Sequence, residues 1–461
     1  MKNFLFLSIT ATLFLLHFEG ERVVLFGVPI YFVEIGVTAS AVALLFLQKE
    51  RRNRDSAERH IERSDQQEQK KDASREQTSN PSHPLMPVRW GVFFLLFGVA
   101  SSTLAALSSH SICPLPHEGV LRALGILKSW FLFPILFGWI LFRVSERHFS
   151  LEKLLFVFMV SFLPISILSS LMWLFGRGMT YDGRLEGIFN SPNALAMHLE
   201  PAIVLSWYFF RASKRSFLAA PLFALLSFLL LLTRSYSAWI AVFIALFFLE
   251  IARARNMQSQ SKIARTKRKS VFLFLLFGTI VAFSQWGSPR FEHFFDPASR
   301  SSFASRLMIW KSAGKMIADS PLFGIGPGNF QSCYLSYQRY FPPYLEWSAP
   351  EPHNIFLAFW LESGIIGLLA CCFLLFWWFR TVFQRTQEKK NLSVLAALMA
   401  IMIAALVHGL FDTTYWHLGL SYIFWTVFFL GLSTPCARLR SGEDVGTFYR
   451  FIRYIFPSRR L

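Results

Sequence analysis

Residues 306–330 read RLMIWKSAGKMIADSPLFGIGPGNF, and after an aromatic-rich run residues 351–369 read EPHNIFLAFWLESGIIGLL. The end of this stretch opens an apolar run, 354–379, long enough to cross a bilayer, for which roughly 17–25 residues are needed. The part before it is polar and is punctuated by Asp319-Ser320-Pro321 and Gly326-Pro327-Gly328. A membrane span entered from a long, structured surface loop is thus the unit from which the fold is read. Comparable apolar runs lie at about 3–18, 25–47, 90–108, 121–143, 151–175, 192–211, 217–233, 235–251, 270–286, 392–411 and 416–433, making about twelve in all. Lipid offers the backbone no hydrogen-bond partners, and no alternating barrel pattern is present. The expected fold is therefore all-α: a polytopic membrane protein with a helical loop, 287–353, between spans nine and ten.

Composition supports this. The 461 residues are 54% hydrophobic with a mean hydropathy of +0.41, concentrated in uninterrupted blocks, which excludes an ordinary soluble domain. A formal charge of +18 would point to nucleic acid if it formed a basic patch on a soluble domain. It lies instead between apolar runs, so no nucleic acid is expected and the charge reports topology. With Met1 placed inside, the inner segments hold thirty-four of the 46 Lys and Arg, the outer segments eleven, and Lys128 falls within a span. Both termini are then cytoplasmic.

The chain divides into two opening spans (1–49), a charged linker (50–88), spans three to nine (89–286), the outer loop (287–353), spans ten to twelve (354–433) and a basic tail (434–461). The linker is too poor in apolar residues to bury a core and is expected to be disordered, in part helical. The tail suits anionic lipid. Lys2 before the first run resembles the start of a signal peptide, but His17-Phe18-Glu19-Gly20 offers no small-x-small cleavage site, so span one is read as retained. The five cysteines show no metal spacing. Cys371-Cys372 reads as packing, and Cys113 and Cys333 share the outer side, either as a disulfide or as two thiols.

In the outer loop, Phe303, Leu307, Trp310, Gly314 and Ile317 recur at helical spacing and predict an amphipathic helix over 302–319, with Arg306 beside its apolar stripe. Asp319-Ser320-Pro321 stops it. Asn329 is expected to cap a second helix with Phe330, Tyr334, Tyr337 and Phe341 on one face. Gly324, Gly326 and Gly328 have no strand before them and no Gly-Lys-Ser/Thr after, so they read as a tight turn. The functional reading places the Gly326 and Gly328 amides near a substrate phosphate. His353 sits at the water–lipid boundary where a span begins, and histidine can take a proton near neutral pH. Arg234 lies in a short outer turn, on the side where positive charge is disfavoured. With Arg184 and Arg306 it supplies guanidiniums suited to a pyrophosphate. Ser191-Pro192-Asn193 reads as a helix start, with Asn193 also available to substrate. Lys128, Glu200, Glu362, His408 and Asp412 lie in or at the ends of spans, where charge is costly and faces the bundle interior. Lys128 and Glu200 read as structural, His408 and Asp412 as sharing one helical face, and Glu362 and Asp412 as open to substrate.

Taken in order, Arg184 to Asn193, Thr233-Arg234-Ser235, Phe323 to Phe330, Pro352-His353-Asn354 and Glu362 to Gly367 resemble the signature of the O-antigen ligase family. That family also includes O-antigen polymerases and some protein O-oligosaccharyltransferases. The resemblance runs from about Arg184 to Asp412 and implies a GT-C-like glycosyltransferase of a bacterial inner membrane. It further implies an undecaprenyl-pyrophosphate-linked glycan donor at the periplasmic face, a lipid A–core acceptor and a reaction without metal or cofactor. On this reading His353, Arg306 and Arg234 are catalytic. Arg184, Asn193, Gly326, Gly328, Asn354, Glu362 and Asp412 bind substrate. The competing class is a carrier of lipid-linked sugar, which twelve spans would suit. Against it, the chain shows no internal repeat, and its polar residues crowd one rim rather than the midplane.

Overall fold

The computed structural model describes residues 1–18, 22–25, 28–65, 85–108, 112–113, 117–212, 216–255, 279, 302–342, 349–386 and 392–433. In order these form α1 (Lys2–Leu15), strands β1 (Arg22–Leu25) and β2 (Val28–Tyr31), α2 (Phe32–Asp65), α3 (Leu85–Ala106), α4 (His117–Ile126), a π-helical segment (Leu127–Leu132), α5 (Phe133–Arg147), α6 (Leu151–Val160) and α7 (Leu163–Leu174). They continue as α8 (Pro192–Ala212), α9 (Ser216–Thr233), α10 (Tyr236–Arg255), α11 (Ser302–Asp319), α12 (Phe330–Tyr337), α13 (Ile355–Thr386), α14 (Leu392–Gly409) and α15 (Leu418–Leu432).

The protein is an all-α polytopic membrane protein. Among the described residues six segments are long and apolar enough to cross a bilayer: Phe32–Glu50, Leu85–Ala106, Gly119–Arg147, Leu151–Leu174, Tyr236–Arg255 and Ile355–Thr386. Shorter apolar helices, Lys2–Leu15, Phe217–Leu232, Ser393–Gly409 and Leu418–Leu432, pack among them. The expected ninth span, 270–286, lies outside the described residues apart from Thr279, as do residues 66–84 of the linker and all of the tail; residues 50–65 of the linker continue α2.

Two expected spans are not continuous helices. The run 25–47 begins as an antiparallel hairpin, Arg22 opposite Tyr31, and turns helical only at Phe32. Lys128 holds this hairpin to the π-helical segment: its Nζ donates to the Pro29 carbonyl and pairs with Glu34 Oε2 at 2.8 Å. The run 151–175 is broken at Ser161–Phe162, just before Pro164, which has no N–H to continue the ladder.

Close helix contacts rest on small residues. A side chain at Gly98 of α3 would strike the backbone of Gly367 and Ser363 on α13, so these helices touch backbone to backbone. The chain between α10 and α13 builds a second, smaller core. Met308, Ile309, Ala313, Met316, Ile325, Phe330 and Tyr334 bury one another there, with Leu361 of α13.

The predicted α11 has its expected ends, but its buried face is turned. Ala304, Ser305, Met308, Ile309, Ser312, Ala313 and Met316 face inward, while Leu307 is exposed. Small Ala and Ser side chains let this face approach closely, which outweighs the bulk of Leu307. Phe330, Tyr334 and Tyr337 do share the buried face of α12. Asn329 precedes α12 but makes no side-chain cap; its Nδ2 donates to the carbonyls of Cys113 and Ile325. Cys113 and Cys333 form a disulfide that ties the α3–α4 connection to α12.

Candidate active site

The site forms where four loops and helix ends meet at one rim of the bundle, and Asp412 is its hub. Asp412 lies in the short connection between α14 and α15, after the last turn of α14. Asp412 Oδ1 faces His353 Nδ1 at 3.0 Å and accepts the Thr413 amide at 2.9 Å. Asp412 Oδ2 accepts from Asn193 Nδ2 at 2.7 Å and lies 3.7 Å from a terminal nitrogen of Arg306. Asp412 is nearly buried, and burial pushes its carboxyl up. The adjacent His353, with its hydrogen bond, and then Arg306 and His408 outweigh that push and hold the group well below the ordinary carboxylate range.

Each partner is placed by its own element. Asn193 opens α8, where Ser191 Oγ accepts the Ala194 amide as the sequence predicts. Its Oδ1 accepts from Arg184 at 2.9 Å, and Arg184 Nε reaches the Thr233 carbonyl at 2.8 Å at the end of α9. Arg306, one turn into α11, donates to the Phe411 carbonyl at 2.7 Å and to Ser302 Oγ at 2.6 Å. Asn354 caps α13, accepting the Phe356 and Leu357 amides, and its Nδ2 donates to the Leu410 carbonyl at 3.0 Å. The connection from Leu410 to His417 is thus gripped from both sides. Aromatic packing anchors its far end: Tyr415 donates to the Trp130 carbonyl in the π-helical segment, and Tyr415 and Trp416 both pack against Phe359 with tilted rings.

His353 and Arg234 share a further property. They are the non-glycine residues with positive φ among the described residues, each at 48°. Such a conformation costs an L-residue roughly 1–2 kcal/mol, and such strain clusters at functional positions. The Trp310 indole holds the His353 carbonyl at 3.3 Å. Arg234 is exposed beside this network, next to Thr233, and its guanidinium approaches the Asp182 carbonyl at 3.4 Å.

The glycine turn serves α13. Ile325 donates to the Leu361 carbonyl at 2.6 Å and Ile365 to the Leu322 carbonyl at 3.1 Å, where Gly364 breaks the helical backbone at φ 68°. The Gly328 amide donates to buried Glu362 at 3.0 Å, so this amide and this carboxylate face each other rather than the Asp412 network. Gly326, at φ 86°, gives its carbonyl to the Asn329 amide. The structure therefore brings together Arg184, Asn193, Arg306, His353 and Asp412, sets Arg234 and Asn354 at the edge, and places Gly326, Gly328 and Glu362 in a neighbouring fastening. The sequence reading did not find the hub role of Asp412 or the path through Asn193. The residue types alone, an acid and an amide at the mouths of two spans, were the available signal. Among the described residues no group of three or more His, Cys, Asp or Glu could hold a metal ion.

The Asp412 network is thus a charged, strained, hydrogen-bonded cluster at one rim of a many-helix membrane protein. Residues 221–372 match the family model described as O-Antigen ligase, which supports the resemblance read from the motifs. The matched segment holds Arg234, Arg306, Gly326, Gly328, His353, Asn354 and Glu362; Arg184, Asn193 and Asp412 flank it. No curated protein matches the chain.

Proposed function

We propose that the protein transfers a glycan from undecaprenyl pyrophosphate to a sugar hydroxyl of lipid A–core, without a metal and with inversion at the anomeric carbon. The observation that carries this reading is the double engagement of Asp412. One carboxylate oxygen meets His353 Nδ1, and the other lies beside the Arg306 guanidinium. A base and a phosphate-binding cation thereby share one rigid anchor.

In the reaction, the acceptor hydroxyl oxygen attacks the anomeric carbon. His353 takes the hydroxyl proton on Nε2, the nitrogen left over once Nδ1 is held by Asp412. The bond from the anomeric carbon to the pyrophosphate oxygen breaks, and its electron pair leaves with the pyrophosphate. Arg306, Arg184 and Arg234 stabilise the charge on that leaving group, which needs no strong acid. Asn193 and Asp412 hold these groups in register, and Asn354 fixes the start of α13 beneath them. Gly326, Gly328 and Glu362 act on substrate by shaping the turn that borders the site.

We place the site on the periplasmic face of a bacterial inner membrane with both termini cytoplasmic. The Lys and Arg distribution supports this, as does the Cys113–Cys333 disulfide, since such bonds persist in oxidising compartments. Impermeant thiol labelling of spheroplasts tests it: Ser299→Cys should label and Ser74→Cys should not, both positions lying outside the described residues.

The test of function is a gene deletion read on lipopolysaccharide, followed by transfer with purified components. Loss of glycan from lipid A–core, with long chains retained on the carrier, is the expected result. Core bearing one repeat would make the protein a polymerase. Unchanged lipopolysaccharide with under-glycosylated proteins would make the acceptor a protein.

A further inference from the structure

We infer that the buried pair Glu200–His408 is a positioning device that fixes Asp412, and through it His353 and Arg306, without touching substrate. The inference rests on the reading of the rim as a glycosyl-transfer site. Glu200 and His408 are 2% and 0% exposed, inside α8 and α14. Ionisable groups at such depth are costly and persist where they have a task. His408 Nδ1 meets Glu200 Oε1 in a short hydrogen bond, and His408 Nε2 finds no hydrogen-bond partner among the described residues. Glu200 is therefore the polar contact that fixes the rotation of this ring.

The pair is linked to the site through backbone. The His408 carbonyl accepts the amides of both Phe411, at 2.9 Å, and Asp412, at 3.0 Å. The Phe411 carbonyl in turn accepts from Arg306 Nε at 2.7 Å. The turn that carries Asp412 thus hangs on His408. On α8, Glu200 lies about two helical turns beyond Asn193, on the same face. The helix α8 therefore grips the end of α14 at two points, Glu200 to His408 and Asn193 to Asp412.

A cavity of about 20 Å³, room for one water, borders Glu200, Met197, Ala405 and Thr414 beneath the turn.

The test is single-turnover transfer from purified undecaprenyl-pyrophosphate-linked donor to lipid A–core in reconstituted membranes. Glu200→Leu should lower the rate by at least about 30-fold, as expected when reacting groups are misplaced by a fraction of an ångström, while donor affinity stays within about 3-fold. Glu200→Gln keeps an acceptor for His408 and should recover most of the rate. In an Asp412→Asn background, Glu200→Leu should add little, because both act through one turn. Equal losses in the two backgrounds, or a Gln variant as poor as Leu, would overturn the positioning role. Should Glu200→Leu fail to reach the membrane, His408→Phe carries the same expectations. An active wild type with an equally active Glu200→Leu removes this inference alone; an inactive wild type removes the glycosyl-transfer reading and this inference with it.

Discussion

Asn193 Nδ2 donates to Asp412 Oδ2 at 2.7 Å across 219 positions of sequence. Through this bond the start of α8 holds the connection between α14 and α15. The other end of the same amide accepts from Arg184, so one side chain couples a guanidinium to the carboxylate that orients His353. An amide suits this place, since it can accept from one neighbour and donate to the next.

That chemistry fixes the order of two variants. Asn193→Ala leaves the buried Asp412 oxygen short of a donor and should slow transfer by about 10- to 100-fold, equivalent to about 1–3 kcal/mol. Asn193→Asp sets a second carboxylate against Asp412 and should be slower still. Single-turnover transfer at one donor concentration orders them. An Asp variant faster than Ala would mean that the Asp412 contact matters less than the one to Arg184.

Arg234 should trade stability for function. Its φ of 48° is natural to glycine and strained for any other residue. Arg234→Gly is therefore expected to be more stable than Arg234→Ala by about 1 kcal/mol in detergent unfolding. Both should lose transfer if, as proposed, the exposed guanidinium meets the pyrophosphate of the donor. Equal stability of the two would show that the turn relaxes once the arginine is gone.

Two turn glycines, Gly324 before α12 and Gly183 between α7 and α8, differ in what limits them. A side chain at Gly324 would collide with the Leu361 carbonyl, and its φ of 69° is unfavourable as well. Gly183 has a similar φ, 71°, but open space around it. Gly324→Ala should thus cost at least about 2 kcal/mol and displace α13, while Gly183→Ala should cost about 1 kcal/mol. Thermal unfolding of the two variants side by side checks this; equal costs would mean that backbone conformation, not the contact with α13, sets both.

The spans and α11 were legible because each is written locally, as an apolar run or a helical repeat ended by Asp319-Ser320-Pro321. Arg306 and His353 were legible because charge beside a span has few reasons to exist. The convergence on Asp412 was not, since its partners come from α8, α11 and the start of α13, and no local pattern encodes a contact across 219 positions. The spacing of His408 and Asp412 suggested a shared helical face. In the structure α14 ends between them, and the two side chains go to different partners, Glu200 and His353. The hairpin before α2 was hidden because Val23, Val24 and Leu25 are as apolar as a span.

Acid should spare the Asp412 network until well below neutral pH. Burial raises this carboxyl, but His353 and Arg306 together lower it further, to well under its ordinary value of 3.8. A group lowered in the fold contributes stability that is complete above its unfolded value and is lost as pH falls through the folded one. The difference in unfolding temperature between wild type and Asp412→Asn should therefore not narrow from about pH 7 to about pH 5.5, and should close only below about pH 4. Narrowing in the upper interval would mean that Asp412 takes up its proton in the folded protein.

His353 decides whether the site performs proton transfer or only orientation. Asp412 holds Nδ1, so Nε2 is the nitrogen that can face an acceptor hydroxyl. The positive φ and the Trp310 hydrogen bond to its carbonyl set the direction of the side chain before substrate arrives. A base must offer a free lone pair on that nitrogen, Nε2, to act. His353→Gln can still donate an amide hydrogen to Asp412 and accept a hydrogen bond from the hydroxyl, but it cannot take the proton. Its single-turnover rate should drop by about 10²- to 10⁴-fold, the usual contribution of a general base. Donor affinity should hold, because Arg184, Arg234 and Arg306 remain. A Gln variant with most of the wild-type rate would reduce His353 to a hydrogen-bonding guide. An Ala variant with near wild-type turnover would remove it from the reaction and leave the arginines around Asp412 to carry the chemistry by charge alone.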